Sequence, residues 1–228
     1  MYIQPHFEET RREMLHGLMR RHPLGTLVTL EDGGLNANHF PFELDPGPEP
    51  WGVLRAHVPR ANPVWRNAGA EVDALVVFQG EQAYITPSWY ATKQQTGRAV
   101  PTWNFMVVHA YGALRVIDDA AWLRAHLERL TDAAEAKREH PWKVGDAPAD
   151  YIEKLLPALI GIEIPIGKLL GKWKVSQNQP AENRAGVVQG LQAEGGENAR
   201  SMADAVEARC PSRTEGAGIA TNADDKAS

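Results

Sequence analysis

Cysteine is nearly absent: the chain of 228 residues has one, Cys210, which excludes an internal disulfide and leaves the eight histidines without cysteine partners for a zinc site. Long apolar runs are missing too, since no stretch approaches the ~18 consecutive apolar residues of a membrane span. The opening MYIQPHFEETRREML carries charges where a secretory signal has its apolar stretch, so a cytoplasmic location is expected. Nor is one sign of charge in great excess. With 24 Lys and Arg against 29 Asp and Glu, the net charge is -5, and no global field draws the chain to a phosphate backbone or an anionic bilayer. The segment from Ala181 onward holds eight acidic and five basic residues, so the body before it is nearly balanced.

The familiar catalytic signatures are also missing. The chain has no GxSxG elbow, no HExxH, no P-loop and no GxGxxG following a strand. His39, His57 and His109 stand alone in β-rich segments, a setting more typical of hydrogen-bonded structural residues than of a general base. No pair of short helices with a basic face suggests a helix-turn-helix.

What is present is an ordinary globular composition, 43% hydrophobic and 23% charged. Phe7, Met14, Leu15, Leu18 and Met19 predict an amphipathic helix over 7–21 that covers a sheet. From Gly25 the pattern turns to short β-rich runs: GTLVTL, LNANHFPFEL after an Asp32-Gly33-Gly34 turn, and WGVLRAHV. DALVVFQG and EQAYITP read as another hairpin, NFMVVHAYGALRVID as one long strand, and LIGIEIPIG and KWKVS as the last β segments. Trp122, Leu123, Leu127 and Leu130 form the stripe of a helix that starts at an acidic end. Two short helices are expected after Asn178, followed by a disordered tail over 209–228. Strands that follow one another without alternating helices favour an antiparallel barrel over a doubly wound sheet.

Two loops carry possible chemistry. In LRAHVPRANPVW, Asn62 before Pro63 is a helix-start signature, and Arg60 with His57 beside such an amino end suits a phosphate; a plain connection with a solvated arginine fits the same spacing. The stretch from Ala83 to Phe105 is longer than a turn needs and holds Ser88, Trp89, Tyr90, Lys93, Thr102, Trp103 and Asn104. Aromatics among hydroxyls and a lysine can surround a flat phosphorylated ligand, while Trp89 and Trp103 can equally be subunit-contact residues.

Taken together, MYIQPHF, HPLGTLVT, NANHFPF, AHVPRANPVW, AYITPSWY, VPTWNF, VHAYG and KVSQN resemble, in order and spacing, the PaiB-type FMN-binding negative transcriptional regulators, over residues 1 to about 208. The resemblance implies a mainly β fold with flanking helices, an antiparallel split β-barrel of the FMN-binding type, working as a homodimer with FMN at the subunit interface. It implies an FMN-binding domain over 1–180, with the helices of 181–208 packed on it. It places His57, Arg60, Ala61 and Asn62 at the FMN phosphate and Asn38 and His39 under the isoalloxazine. Ser88, Lys93 and Trp103 fall on the loop that closes the pocket. Function divides between a flavin-loaded regulator, with DNA or a regulatory protein as partner, and an FMN-dependent oxidoreductase related to pyridoxamine-phosphate oxidases or flavin reductases.

Overall fold

The computed structural model describes residues 1–31, 33–47, 50–67 and 72–209. In chain order the elements are β1 (Glu8–Glu9), α1 (Arg12–Arg21), β2 (Leu24–Glu31), β3 (Gly34–Pro41), β4 (Glu43–Asp45), β5 (Val53–Pro59) and β6 (Ala74–Ile85). There follow α2 (Ala91–Thr96), β7 (Thr102–Gly112), β8 (Arg115–Ile117), α3 (Ala120–Glu135), α4 (Ala149–Leu155), β9 (Leu159–Pro165), β10 (Lys168–Lys174), α5 (Ala181–Glu194) and α6 (Glu197–Glu207). Two sheets result, one of six strands in the order β1-β10-β7-β6-β2-β3 and one of four in the order β4-β5-β9-β8. The pairs β2/β3, β2/β6 and β7/β10 run antiparallel in the first, and β4/β5, β5/β9 and β8/β9 in the second. Among the described residues no helix is long and apolar enough to cross a membrane.

The chain divides into two compact units: Met1–Gln82 with Phe105–Lys174, and Ala83–Asn104 with the described part of Val175–Ser228. In the first, alternation along the strands turns Leu54, Ala56 and Val58 of β5 and Ile160, Ile162 and Ile164 of β9 into a fully buried face. In the second, Val187 and Leu191 of α5 pack with Met202 and Val206 of α6, the two short helices expected from the sequence. A smaller cluster in the first unit joins Leu123 of α3 to Val144, Ile152 and Leu156, and contains α4, which the apolar pattern did not announce.

Several boundaries differ from the expectation. Helix α1 begins at Arg12 and not at Phe7, because Glu8 and Glu9 pair with Lys172 and Gly171 of β10. The Glu9 carboxylate then takes the backbone N–H and the guanidinium of Arg11, which holds the chain extended up to the helix. The hairpin expected at Gly80 does not exist; β6 runs straight through as twelve residues. Gly80 is there for space, since a Cβ would lie 2.8 Å from Leu18 Cδ1, where α1 lies on the sheet. The long strand expected up to Ile117 is two strands in different sheets, parted at Gly112, where the carbonyl of Pro165 comes so close that a side chain has no room. The β2–β3 hairpin closes as expected on the pair Glu31 and Gly34, while Asp32, and the tail from Cys210 onward, lie outside the described residues.

Candidate functional site

The residues singled out after β5 begin at its end. Arg60 donates its backbone N–H to the carbonyl of Ala158 at 2.7 Å and accepts from Trp65 Nε1 at 3.0 Å. Its guanidinium forms a fork-to-fork pair with Asp118, at 2.9 and 2.6 Å, and donates to the carbonyls of Pro157 and Leu159. That pairing holds the Asp118 carboxyl below the usual carboxylate range and the Arg60 guanidinium above its ordinary value. The cation proposed for a phosphate is therefore engaged in joining β5 to the start of β9 and the end of β8.

Asn62 does act as a cap, its Oδ1 accepting from the N–H of Val64 at 3.0 Å, but the element it starts is a 3₁₀ turn, Pro63–Asn67, and not an α-helix. Of residues 63–66 of that turn Val64 alone is buried, so these residues offer no apolar stripe to sustain a longer helix or its dipole. The side-chain amide of Asn62 reaches β3 instead, donating to Asn38 Oδ1 at 3.0 Å. The Nδ2 of Asn38 is buried and has no hydrogen-bond partner among the described residues. Ala61 is exposed on the turn between them.

Asn38 and His39 do not share a face. In the β2–β3 register Asn38 stands opposite Leu27 and His39 opposite Thr26, and strand alternation sends the two side chains to opposite sides. Asn38 lies on the side of buried Leu27, Thr29 and Phe40. His39 lies with Leu35, Ala37 and Pro41 on an exposed face.

His57 leaves this group as well. With Arg55 it faces α3, where its ring meets His126 edge-on at 5.3 Å, and His126 stacks on Trp122 at 5.1 Å. Around them, His126 Nδ1 donates to Glu43 at 2.9 Å, Arg129 bonds the other oxygen of Glu43, and Arg55 bridges Asp45 and Glu163 at 2.8 and 2.9 Å. Burial, with His126 adding to it, pushes the His57 imidazole down to about 4, so the ring is neutral at pH 7. Burial also opposes the charge of Glu43, but the hydrogen bonds from His126 and Arg129 outweigh it and the carboxyl titrates below its ordinary range. Sequence reading missed this cluster because His126 sits on a helix stripe read as apolar.

In the second unit, Lys93 Nζ approaches Ser88 Oγ at 3.4 Å, both exposed. Trp103 is 54% exposed and meets Tyr84 edge-on at 6.0 Å. Trp89 is not free for a ligand in the same way: it lies against α5 at Gly186 and Gly190, where any side chain would collide with it. The long polar stretch is partly ordered by α2, whose Thr92 binds the buried Asn183 through N–H and hydroxyl at 3.1 Å each. Among the described residues no group of three or more His, Cys, Asp or Glu can hold a metal ion.

Residues 1–168 match the model of a family described as "Putative FMN-binding domain". The chain belongs to this family. An uncharacterized protein of Emericella nidulans is 34% identical over 245 residues, covering 92% of this chain and 97% of its own. The protease synthase and sporulation protein PAI 2 of Bacillus subtilis is 31% identical over 207 residues, covering 91% of this chain and 97% of its own, so the family is the PaiB type. Among solved structures, the FAD and heme binding protein from Mycobacterium smegmatis superposes with a TM-score of 0.55 over 73% of each chain. At 20% identity that likeness speaks for the fold alone, a split β-barrel whose sheets stay open.

FMN is the family's cofactor, and the donor set around Asn38 fits it: a buried amide N–H with no partner among the described residues, beside a second amide, suits the polar edge of a flavin ring. For the phosphate, Arg66 stands at the end of the 3₁₀ turn, exposed and held, among the described residues, only over the Trp65 ring at 5.5 Å. Sequence reading passed it by because Arg60 sits nearer the cap.

Proposed function

We propose that this chain is an FMN-loaded homodimer that acts in the cytoplasm as a negative regulator of transcription. The carrying observation is the β2–β3 hairpin: β3 ends its sheet, and Leu24, Leu30 and Leu35 are 63%, 53% and 81% exposed on one face of it. A second copy would cover that face, and an open, apolar strand edge left uncovered invites aggregation. The regulatory reading is supported by the name of the Bacillus subtilis relative, which ties that protein to protease synthesis and sporulation. Asn38 and Asn62 bind the flavin through their amides, Ala61 and the backbone of its turn line it, and His39 meets it or the second subunit from the exposed face. Arg60 is a positioning residue that fixes the turn, and His57 supports the sheet from the α3 side. Ser88, Lys93 and Trp103 form a polar and aromatic set within the second unit, assigned to cofactor binding by the family resemblance. When bound, FMN supplies hydride or one-electron chemistry.

Direct contact with duplex DNA is expected to be weak. Of the arginines on α1 and next to it, Arg11 is spent on Glu9 and Arg21 faces Glu81 at 4.0 Å, while Lys172 lies over the rings of Tyr2 and Phe105. The regulator therefore acts through a partner protein. The test is an absorbance titration with FMN, followed by fluorescence anisotropy on the gene's own upstream duplex and a scrambled control at physiological salt. Stoichiometric flavin uptake with equal, weak binding of both duplexes is the expected result. Rapid nicotinamide oxidation by the flavin-loaded protein would instead favour the oxidoreductase.

A further inference from the structure

The first unit contains two adjoining hollows that none of the flavin residues touches. One, of about 730 Å³, is lined mainly by apolar side chains, among them Pro23, Phe42, Leu44, Leu130, Ala134 and Trp142. The other, of about 410 Å³, is polar and is lined by Arg12, Glu13, His16, Pro46 and Gly47. Arg20 lines both, so the two hollows neighbour each other at that side chain. The larger volume falls within the ~300–1,000 Å³ of ordinary small-molecule sites.

We propose that these hollows form one binding site for a single-chain amphipathic anion, an apolar chain or ring held in the larger part with a carboxylate or phosphate head at Arg20 and Arg12. The placement rests on helix geometry: Arg12, His16 and Arg20 recur every four residues and share one face of α1. Among the described residues Arg20 makes no ion pair, and Arg12 uses one nitrogen on the carbonyl of Pro46 and keeps the rest of its fork for a ligand. His16 between them is neutral, since burial, reinforced by the two arginines, holds its imidazole below the ordinary range while its Nε2 meets the carbonyl of Trp51. The carboxylates that line the larger hollow are already paired, Glu43 with His126 and Arg129, and Glu135 with Arg138 and the N–H of Trp142. Among the described lining residues Glu13 alone opposes, which leaves Arg12 and Arg20 in excess at the polar end. Trp142, 46% exposed at the rim, can cover the apolar part of a bound chain and report on it.

The experiment is calorimetric titration of the full, FMN-loaded chain with decanoate, decyl phosphate and decanol, with tryptophan fluorescence read in parallel on the parent chain and on Trp142→Phe, whose difference isolates Trp142. Saturable binding of either anion is expected, the tighter one identifying the head group, with decanol at least about tenfold weaker. Arg20→Gln should weaken the anion about tenfold, the worth of one charge-assisted hydrogen bond, and leave decanol unchanged. Ala134→Trp, at an exposed helix position, should block all three by filling the larger hollow. Equal affinity for decanol and the anions, or an Arg20→Gln chain that binds them as before, would overturn the proposal. So would release of FMN in step with anion binding, because the hollow would then be the flavin site.

Discussion

Arg60 illustrates how the neighbours of a side chain, more than its type, decide its chemistry. A guanidinium two residues before a cap suits a phosphate, yet this one is closed by Asp118 and two carbonyls on β9 and the segment before it. Arg60→Ala is therefore expected to lower the melting temperature while weakening FMN by less than the roughly tenfold that loss of a direct charged contact costs, as read by flavin titration. Asn38→Ala, which removes the buried Nδ2 that has no hydrogen-bond partner among the described residues, should weaken FMN by more than Arg60→Ala does. His57 gives a pH dependence whose sign is set by its depressed value. The folded ring titrates near 4 and the unfolded one near ~6.5, so the unfolded chain takes the proton first. Stability from the neutral ring is complete above about pH 6.5 and is lost as pH falls toward 4, by at most about 3 kcal/mol. Glu43, also depressed, adds its loss only below the ordinary carboxylate range. Thermal melts between pH 7 and 4 should show this decline, and His57→Gln should flatten it over the upper part of the window.

At the scale of elements, glycines misled the reading of strands and explained their packing. Gly80 looks like a turn, but it is the point where Leu18 of α1 presses on β6. Gly80→Val should cost about 1–3 kcal/mol by overpacking, seen as a lower urea midpoint with an unchanged slope. Helix α3 was legible at its start because Asp119 caps it, its carboxylate accepting the N–H of Trp122 at 2.7 Å. What the helix faces was not legible: the stripe that carries Leu123 also carries His126 and meets a strand bearing His57. The anion site expected at a helix amino end shrank to a 3₁₀ turn, since propensity at Asn62-Pro63 starts a turn but buried apolar positions sustain a helix.

At the scale of the whole molecule, the β2–β3 face carries the dimer prediction. Leu30 and Leu35 pair across the hairpin, so one charge there should disrupt a symmetric contact. Leu35→Asp is expected to leave the fold intact by circular dichroism and to give a monomer by light scattering at micromolar concentration, where the parent chain is expected to be a dimer. A Leu35→Asp chain that stays dimeric would move the subunit contact to another surface.

The sequence by itself determined the antiparallel β character, the helices α1, α3, α5 and α6, and membership of an FMN-binding family, because periodicity and ordered motifs are local properties of the chain. Only the tertiary structure decided which candidate residues stand together. Asn38 and Asn62 meet although twenty-four positions separate them, while the neighbours Asn38 and His39 part to opposite faces. Arg60 finds Asp118 fifty-eight positions away, and His57 finds His126 on a helix whose apolar stripe gave no sign of it. Motifs name the residue types that can do the chemistry. Strand register and the crossing of sheet and helix, set by burial over the whole chain, decide which of them have hydrogen bonds left to give.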